Sequence, residues 1–571
     1  MAEIHVRKGA GGAGSSLPSL SAAAAVARAG DTVIVHEGVY RERLTPPRGT
    51  TWQAAEGETV VIDGGWDGKT DVGGNQAAMI AIAAADVVID GFRVVNAPGD
   101  AITVGKGGHN AAILNCLTDV AYSGGIICNA GETLRGVTID GCTVLRSGMG
   151  WVARGRKGGV SGAINLIRCD GATVRDTVSA YNWGEGCNVG KGTKNSVIRA
   201  NVIYDNAHFC LGVNHAQDCT IEANLLFLTG FEPRQVGGEN WPTGLTIGDE
   251  IGYGGDAFPP SRGIIVRGNI IINCGSGIGV RNGAGWDAYD TQLVDSIIEH
   301  NTVVAGPCTR VCVNIGVNGR GRPHKNSTVR ANVIETSGAT WPGFEAATGD
   351  TANVEWRANA WTEAPAAGFR HAEDVVGFTL ANATAALANE FPEAGHSLEL
   401  GNYRPLSGGP VALAGIGALG PDGPNRLCSW PALAAPPDAP RYPARRCRGG
   451  GVAAPRPCPR RRGGGGVRTP HPARRPAHIP STRRASSLEW PVGRLSSRTQ
   501  TTPTSRPTWR HSNPGHCVAA LPMRGRRAGS RASHPALGDR VPKRANRRDR
   551  RLHPGRPGGH ARSWLSGRQG R

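Results

Sequence analysis

The chain has 571 residues, with 64 Lys plus Arg against 45 Asp plus Glu, a net charge of +19, and 84 glycines. Residues 427–571 hold 32 of the basic residues and four of the acids, so residues 1–426 are mildly acidic and are no basic nucleic-acid-binding body. No stretch reaches the roughly 18 consecutive apolar residues of a membrane-spanning helix, and no signal peptide follows Met1.

In chain order, Ile4-His5-Val6 is a first strand, and the Ala-rich stretch from Ser19 to Arg28 predicts a short helix. Strand-like runs follow at Thr32 to Val35 and at Gly38 to Tyr40. Beyond them each unit carries three apolar runs of three to five residues, such as Ser196 to Arg199, Asn201 to Tyr204 and Phe209 to Val213. β-Branched residues bounded by Gly, Asn and Asp argue for strands. Five asparagines recur in one setting, three residues after one aliphatic residue and two before another: Asn201, Asn224, Asn269, Asn301 and Asn332. Asn201 and Asn224 lie 23 residues apart, a solenoid period. Each is predicted at a corner between two strands, bonding the same Asn in the coils above and below. Upstream the corner column continues as Thr177, Cys142, Cys116 and Phe92, and downstream it is expected to end at Asn332.

These features resemble the right-handed parallel β-helix (PbH1-repeat) proteins of the pectin-lyase-like superfamily. The segment Gly30 to Val35, Glu37 to Tyr40 and Glu42 is similar to their first coil, which follows a helix that caps the open core. Asn402 to Ser407 and Gly420 to Arg426 resemble their closing segment. The resemblance covers roughly residues 3 to 426. It implies an all-β fold: a single-stranded right-handed solenoid over 1–426, a short N-terminal capping helix and insertions at about 146–160 and 231–262. Most such proteins are exported, which leaves two expectations: an extracellular or cell-surface protein whose leader is missing from the gene model, or a cytoplasmic one. Ten cysteines lie in 1–426, none with metal-binding spacing. They are expected as buried free thiols, Cys116, Cys142 and Cys187 among them.

Residues 427–571 have no apolar periodicity and are rich in Arg, Pro, Gly and Ser, which predicts disorder. One reading is a basic arm for nucleic acid or another polyanion. The other is a frameshift or read-through product, because GC-rich DNA translated out of frame gives this mixture.

The resemblance places ligands on one outer face, formed by the strand after the longer turn and the loop behind it. Stacking the coils puts Lys106, Ala130, Arg168, Lys191, His215, Asp249 and Asn282 in one column just past that strand, with Asn165 and Asn188 outward on it. Adjacent coils are about 4.8 Å apart, so Arg168, Lys191, Lys194 and His215 fall within reach of one extended ligand. The alternative is that this line of charges is the solvated edge of a solenoid. Cations beside carboxylates suit an acidic polysaccharide. β-Elimination of a uronate needs a base and a cation to hold the enolate charge, and Lys191 crowded by Arg168 and His215 fits the base. Asp249, Glu250 and Glu239 are candidate Ca²⁺ ligands. Glu185, Lys194, Asn165, Asn188 and Trp241 are candidate substrate contacts, with Trp151 and Trp183 as further flat faces. The adjacent aspartates, Gly-His-Gly and Arg-x-Lys of polygalacturonase-like hydrolases are missing, as is the Trp-x-Asp-His of pectate lyases. Three functions stay open: a polysaccharide lyase on a uronate-containing glycan, a non-catalytic glycan-binding or scaffold β-helix, and polyanion binding through the tail.

Overall fold

The computed structural model describes residues 1–9, 16–73, 76–155, 162–229, 242–250, 258–281, 291–316, 323–378 and 380. The boundary expected at 426 and everything assigned to 427–571 lie outside them. The strands form three long sheets of 14, 13 and 10 members, with every pairing between successive coils parallel. One coil shows the path. Val197–Arg199 joins the 14-stranded sheet, Val202–Tyr204 the 13-stranded one and Phe209–Asn214 the ten-stranded one. Thr220–Glu222 then returns beside Val197–Arg199. The protein is a right-handed parallel β-helix.

Its core is the stack of inward residues from the three sheets. Ile198, Ile203 and Leu211 are fully or almost fully buried, as are their counterparts above and below. The open end is closed by helix α1, Leu20–Val26, which turns Leu20 and Ala23 into the core. Ser19 caps it, its Oγ accepting the Ala22 N–H at 3.0 Å. The Glu42 carboxylate takes the Leu20 and Ser21 N–H groups, both at 3.0 Å, and sets negative charge at the helix N-terminus. All ten cysteines from Cys116 to Cys312 are buried free thiols.

The asparagine corner is a continuous ladder. Asn224 Oδ1 accepts both the backbone N–H and the Nδ2 of Asn201, at 3.0 and 2.9 Å. Asn224 Nδ2 in turn donates to the Ile198 carbonyl at 2.9 Å and to Asn269 at 2.9 Å. The same bonds link Asn269, Asn301 and Asn332. Upstream, Asn201 accepts the Thr177 N–H, and Thr177 Oγ1 accepts that of Cys142. The expected end at Asn332 is corrected: Asn332 bonds Asn359, whose N–H reaches the Asp374 carboxylate at 2.8 Å. That rung escapes the aliphatic pattern because its flanking inward residues are Trp356 and Trp361, paired with Val329 and Ile334.

From Val178 onward the outer face of the 13-stranded sheet is also buried. Val202, Tyr204, Leu225, Phe227, Ile270, Ile272 and Val333 form a second apolar cluster with Phe378 and Leu380, and the Tyr204 and Phe227 rings stack at 4.6 Å. A sheet buried on both faces has unbroken apolar strands, which is how Leu225–Phe227 and Ile270–Ile272 read. At its edge Asp205 is 1% exposed, its oxygens taking the Thr229 N–H and hydroxyl at 2.9 and 2.7 Å. Burial pushes its carboxyl up to about 7.

Two predictions follow from these contacts. Asn224→Ala removes the acceptor of two buried donors on Asn201 and should cost about 3 kcal/mol, read from the denaturant midpoint. Asn326→Ala, which breaks an exposed rung to Asp295, should cost under about 1 kcal/mol. For Asp205, the unfolded carboxyl ionises near its ordinary value while the folded one keeps its proton to about pH 7. The contribution of Asp205 is therefore greatest at acid pH and falls as pH rises through that window, by at most about 4 kcal/mol. Asp205→Asn should flatten that fall, measured by denaturation at pH 5 and pH 8.

Candidate functional site

In the ten-stranded sheet Leu211 and Val213 point inward, so Gly212 faces out. The register carries this outward row through Asn165, Asn188, Gly212, Thr246 and Gly279 in successive coils. A second row, at the start of the strands, contains Glu185, Phe209 and Thr243. Past the strands, Arg168, Lys191 and His215 occupy the same corner of three successive coils, all in the left-handed region with φ of 54°, 50° and 54°. The column expected from the coil register is therefore present, and Asp249 follows in the next coil.

The corner is held tightly. Arg168 Nη1 donates to the Gly131 carbonyl at 3.0 Å, and its guanidinium lies over the Phe258 ring at 5.0 Å. Gly192, at φ +89°, meets the same ring: a Cβ there would lie 3.1 Å from it, so the last glycine of the Gly-Lys-Gly turn serves both the turn and the Phe258 contact. His215 is 6% exposed, with Nδ1 facing the Pro259 carbonyl at 3.3 Å and Nε2 that of Glu250 at 3.0 Å. A neutral imidazole donates to only one of these carbonyls. Lys191 is half-buried between the two. Lys194 is exposed and lies 3.5 Å from the Asp170 carboxylate.

The proposed calcium ligands are placed differently. Asp249 is buried, with Oδ1 accepting the His215 N–H at 2.8 Å and the Ser261 hydroxyl at 2.6 Å, and Oδ2 the Ser261 N–H at 2.9 Å. Burial pushes its carboxyl up. Its oxygens lock the turn at Ser261 to the His215 corner. Glu250 is half-buried and accepts from Asn214 Nδ2 at 3.4 Å. Glu239 and Trp241 lie outside the described residues. Among the described residues no group of three or more His, Cys, Asp or Glu is placed to hold a metal ion, and Asp249 does not fit a calcium ligand. Trp183 is buried, and Trp151 lies under the Arg154 guanidinium at 4.0 Å.

Glu185 opens its strand instead of projecting from the turn before it. A Cβ on Gly162 would lie 3.4 Å from Glu185 Oε2 and 3.3 Å from the Asn165 Cβ, so the missing side chain leaves room for the carboxylate beside Asn165. On the other side Glu185 Oε1 is 3.7 Å from His208 Nδ1, the two side chains 15% and 14% exposed. Phe209 follows, its ring lying across Gly212, where a Cβ would collide with it. The Arg281 guanidinium lies over the Phe209 ring at 5.6 Å. His208, Phe209, Phe258 and Arg281 were missed as site residues. His208 has the sequence signature of a turn, Arg281 that of a surface charge, and only the pairing of Glu185 with Phe209 brings the first group together.

No family model and no curated protein matches the chain. Among solved structures, it is similar to the Dettilon tailspike protein (15% identity, TM-score 0.42, covering 61% of this chain and 62% of that one). It is also similar to pectate lyase Pel9A (13%, TM-score 0.38, 62% and 79%). A third is the A-module of the mannuronan C-5 epimerase AlgE6 of Azotobacter vinelandii (15%, TM-score 0.40, 62% and 92%). At these values the likeness does not reach individual residues, and the fold stands on the parallel sheets themselves.

The Asp249 geometry yields a measurable outcome. Asp249→Ala removes the acceptor of three buried donors and should cost about 3 kcal/mol or more, with the same loss in melting temperature in calcium and in chelator. A loss seen only with calcium present would make Asp249 a metal ligand.

Proposed function

We propose that the protein is a carbohydrate-active β-helix protein that binds an acidic polysaccharide along the outer face of its ten-stranded sheet and cleaves it by β-elimination. The observation that carries this reading is the corner at Arg168, Lys191 and His215, where three successive coils present nitrogen-bearing side chains beside the outward row of Asn165 and Asn188. Coils about 4.8 Å apart give a ladder of cationic positions to the carboxylates of an extended polyuronate.

In this reading Lys191 removes the proton from the carbon next to the uronate carboxylate. The electron pair passes into that carboxylate as an enolate-like charge, which Arg168 and the His215 corner face. It then returns to form the double bond as the bond to the glycosidic oxygen on the neighbouring carbon breaks, and that oxygen takes a proton from water while Lys191 later releases its own to solvent. His215 acts by position, since both its nitrogens face backbone carbonyls. Asn165, Asn188, Lys194, Glu185 and Trp241 are the proposed substrate contacts. Calcium, where bound, would be held by Glu250 and Glu239.

The second reading is a glycan-binding β-helix without turnover. The engagement of Arg168 with Gly131 and Phe258, and of His215 with two carbonyls, favours it, because such side chains fix a surface as readily as they serve a reaction. Polyanion binding through 427–571 rests on composition alone.

Incubation with alginate, pectate and glycosaminoglycans, followed by ultraviolet absorbance of unsaturated uronate, separates these readings. Lys191→Ala should lower the rate by about 10²–10⁴-fold while retention on the same glycan persists. Retention without any unsaturated product from the wild type identifies the binding protein. Absence of both removes the glycan reading.

A further inference from the structure

The two ends of the solenoid are finished differently. At the N-terminal end helix α1 covers the core, and the first strand of the ten-stranded sheet, Ile80–Ile82, has Leu44 bridged to its outer edge. At the other end the chain crosses the core as the turn Ala367–Phe369 and adds Val375–Val376 to the 13-stranded sheet alone. Phe378 and Leu380 then pack on the outer face of that sheet. Among the described residues nothing pairs with the far edge of Glu345–Gly349, the last strand of the ten-stranded sheet. An open edge of this kind is a template for another chain, and folded proteins commonly shorten, charge or cover it.

A groove runs along this edge. Its volume is about 410 Å³, with Phe344 to Thr348 on one side and Glu363 to Ala366 and Phe369 on the other. Ala346 and Ala347 turn toward the core with only methyl groups. Among the described residues the only charged side chains lining the groove are Glu345 and Glu363, both exposed. A larger cavity, of about 630 Å³, lies by Val354–Arg357, the last strand of the 14-stranded sheet. It meets that strand over three residues and is otherwise lined mainly by polar ones such as Asn326, Thr351 and Asn353. The smaller groove is the one that follows an edge.

Its lining selects what can lie there. Successive side chains of a strand point to opposite faces. A strand laid on this edge sets an inward side chain over Ala347, where the methyl group leaves room for Val or Ile. It sets an outward one over Glu345, where Lys or Arg meets a carboxylate, with Glu363 on the facing wall. A second copy docked edge to edge would instead bring the same glutamates of both copies together, and like charges oppose that.

We propose that the open edge at Glu345–Gly349 is a docking site for an extended peptide segment of another protein, one that alternates β-branched residues with Lys or Arg and joins the ten-stranded sheet as a further strand. Main-chain hydrogen bonds along the edge hold the segment, and the alanines and glutamates choose its side chains. This is independent of the glycan reading, which concerns the face of the sheet and not its end.

The probe is a fluorescently labelled peptide, acetyl-Lys-Val-Lys-Val-Lys-Val-amide, added to the full-length chain and followed by anisotropy. Methylating two alternate backbone nitrogens of the peptide should weaken binding about 10-fold or more. The double variant Glu345→Gln/Glu363→Gln should weaken it and lessen its salt dependence. Ala364→Trp, on the exposed wall of the groove, should block it, and neither variant should move the melting temperature. Hydrogen exchange should show the bound peptide protecting the amides of residues 345–349. No binding, binding indifferent to methylation, or protection elsewhere overturns the proposal. Edge amides already protected in the free chain at every concentration mean that the chain itself fills the edge, and protection that rises with protein concentration alone means that a second copy does. Either result also overturns it.

Discussion

The hydrogen bond from each corner asparagine to the next fixes the register of the coils from Asn201 to Asn359. Asn224 Oδ1 accepts from both donors of Asn201, and Asn224 Nδ2 donates to the Ile198 carbonyl and to Asn269. All four bonds are buried and none survives a slip of one residue. A coil out of register would lose them and turn its inward side chains outward. A parallel solenoid with short strands has few other devices to fix register. Stacked corners and outward rows, and so any site built from adjacent coils, exist because the ladder does not slip.

The ladder also explains where the chain departs from its period. Asn224 and Asn269 are 45 residues apart in sequence yet bonded at 2.9 Å, as are Asn201 and Asn224, which are 23 apart. Extra length is absorbed without disturbing the corner, so it must leave the coil elsewhere. Residues 230–241 and 251–257 border the strand Thr243–Ile247, residues 282–290 follow Ser276–Val280, and residues 317–322 follow Val311–Ile315. All these strands belong to the ten-stranded sheet. Insertions at the edges of one sheet, on a scaffold the other two keep regular, are where a solenoid gathers its variable chemistry.

The fold was legible because it depends on repetition. The aliphatic–Asn–aliphatic setting predicted the corner, the coil register placed Arg168, Lys191 and His215 in one column, and the Ala-rich stretch from Ser19 announced the capping helix. Repetition hid the last rung: Asn359 sits between Trp356 and Trp361, which fill the core as aliphatic residues do elsewhere but break the pattern. The site was less legible, since identity and register say where a side chain is and nothing about what holds it. Asp249 looks like a metal ligand in sequence, and in the structure its oxygens accept three hydrogen bonds from Ser261 and His215. His208 looks like a turn, and its place beside Glu185 comes from the coil register. Contacts made across inserted turns, such as Phe258 on Arg168, have no periodic signature.

A comparison of faces within the molecule shows what distinguishes the ten-stranded sheet. The outer face of the 14-stranded sheet also carries a dense row of charge, but there the charges answer one another from coil to coil. Arg175 meets Asp140 at 2.7 Å, Arg267 meets Glu222 at 2.8 Å, and Arg330 meets Glu299 at 2.8 Å. Exposed pairs of this kind contribute little stability each, and Arg199, in the same row, is exposed without an ion pair among the described residues. From Val178 onward the outer face of the 13-stranded sheet is apolar and buried. On the ten-stranded sheet the polar atoms Asn188 Oδ1, Thr246 Oγ1 and Ser276 Oγ are withdrawn from water and unmet. There too Arg168, Lys191 and His215 stand at one corner of three successive coils, beside the outward Asn165 and Asn188.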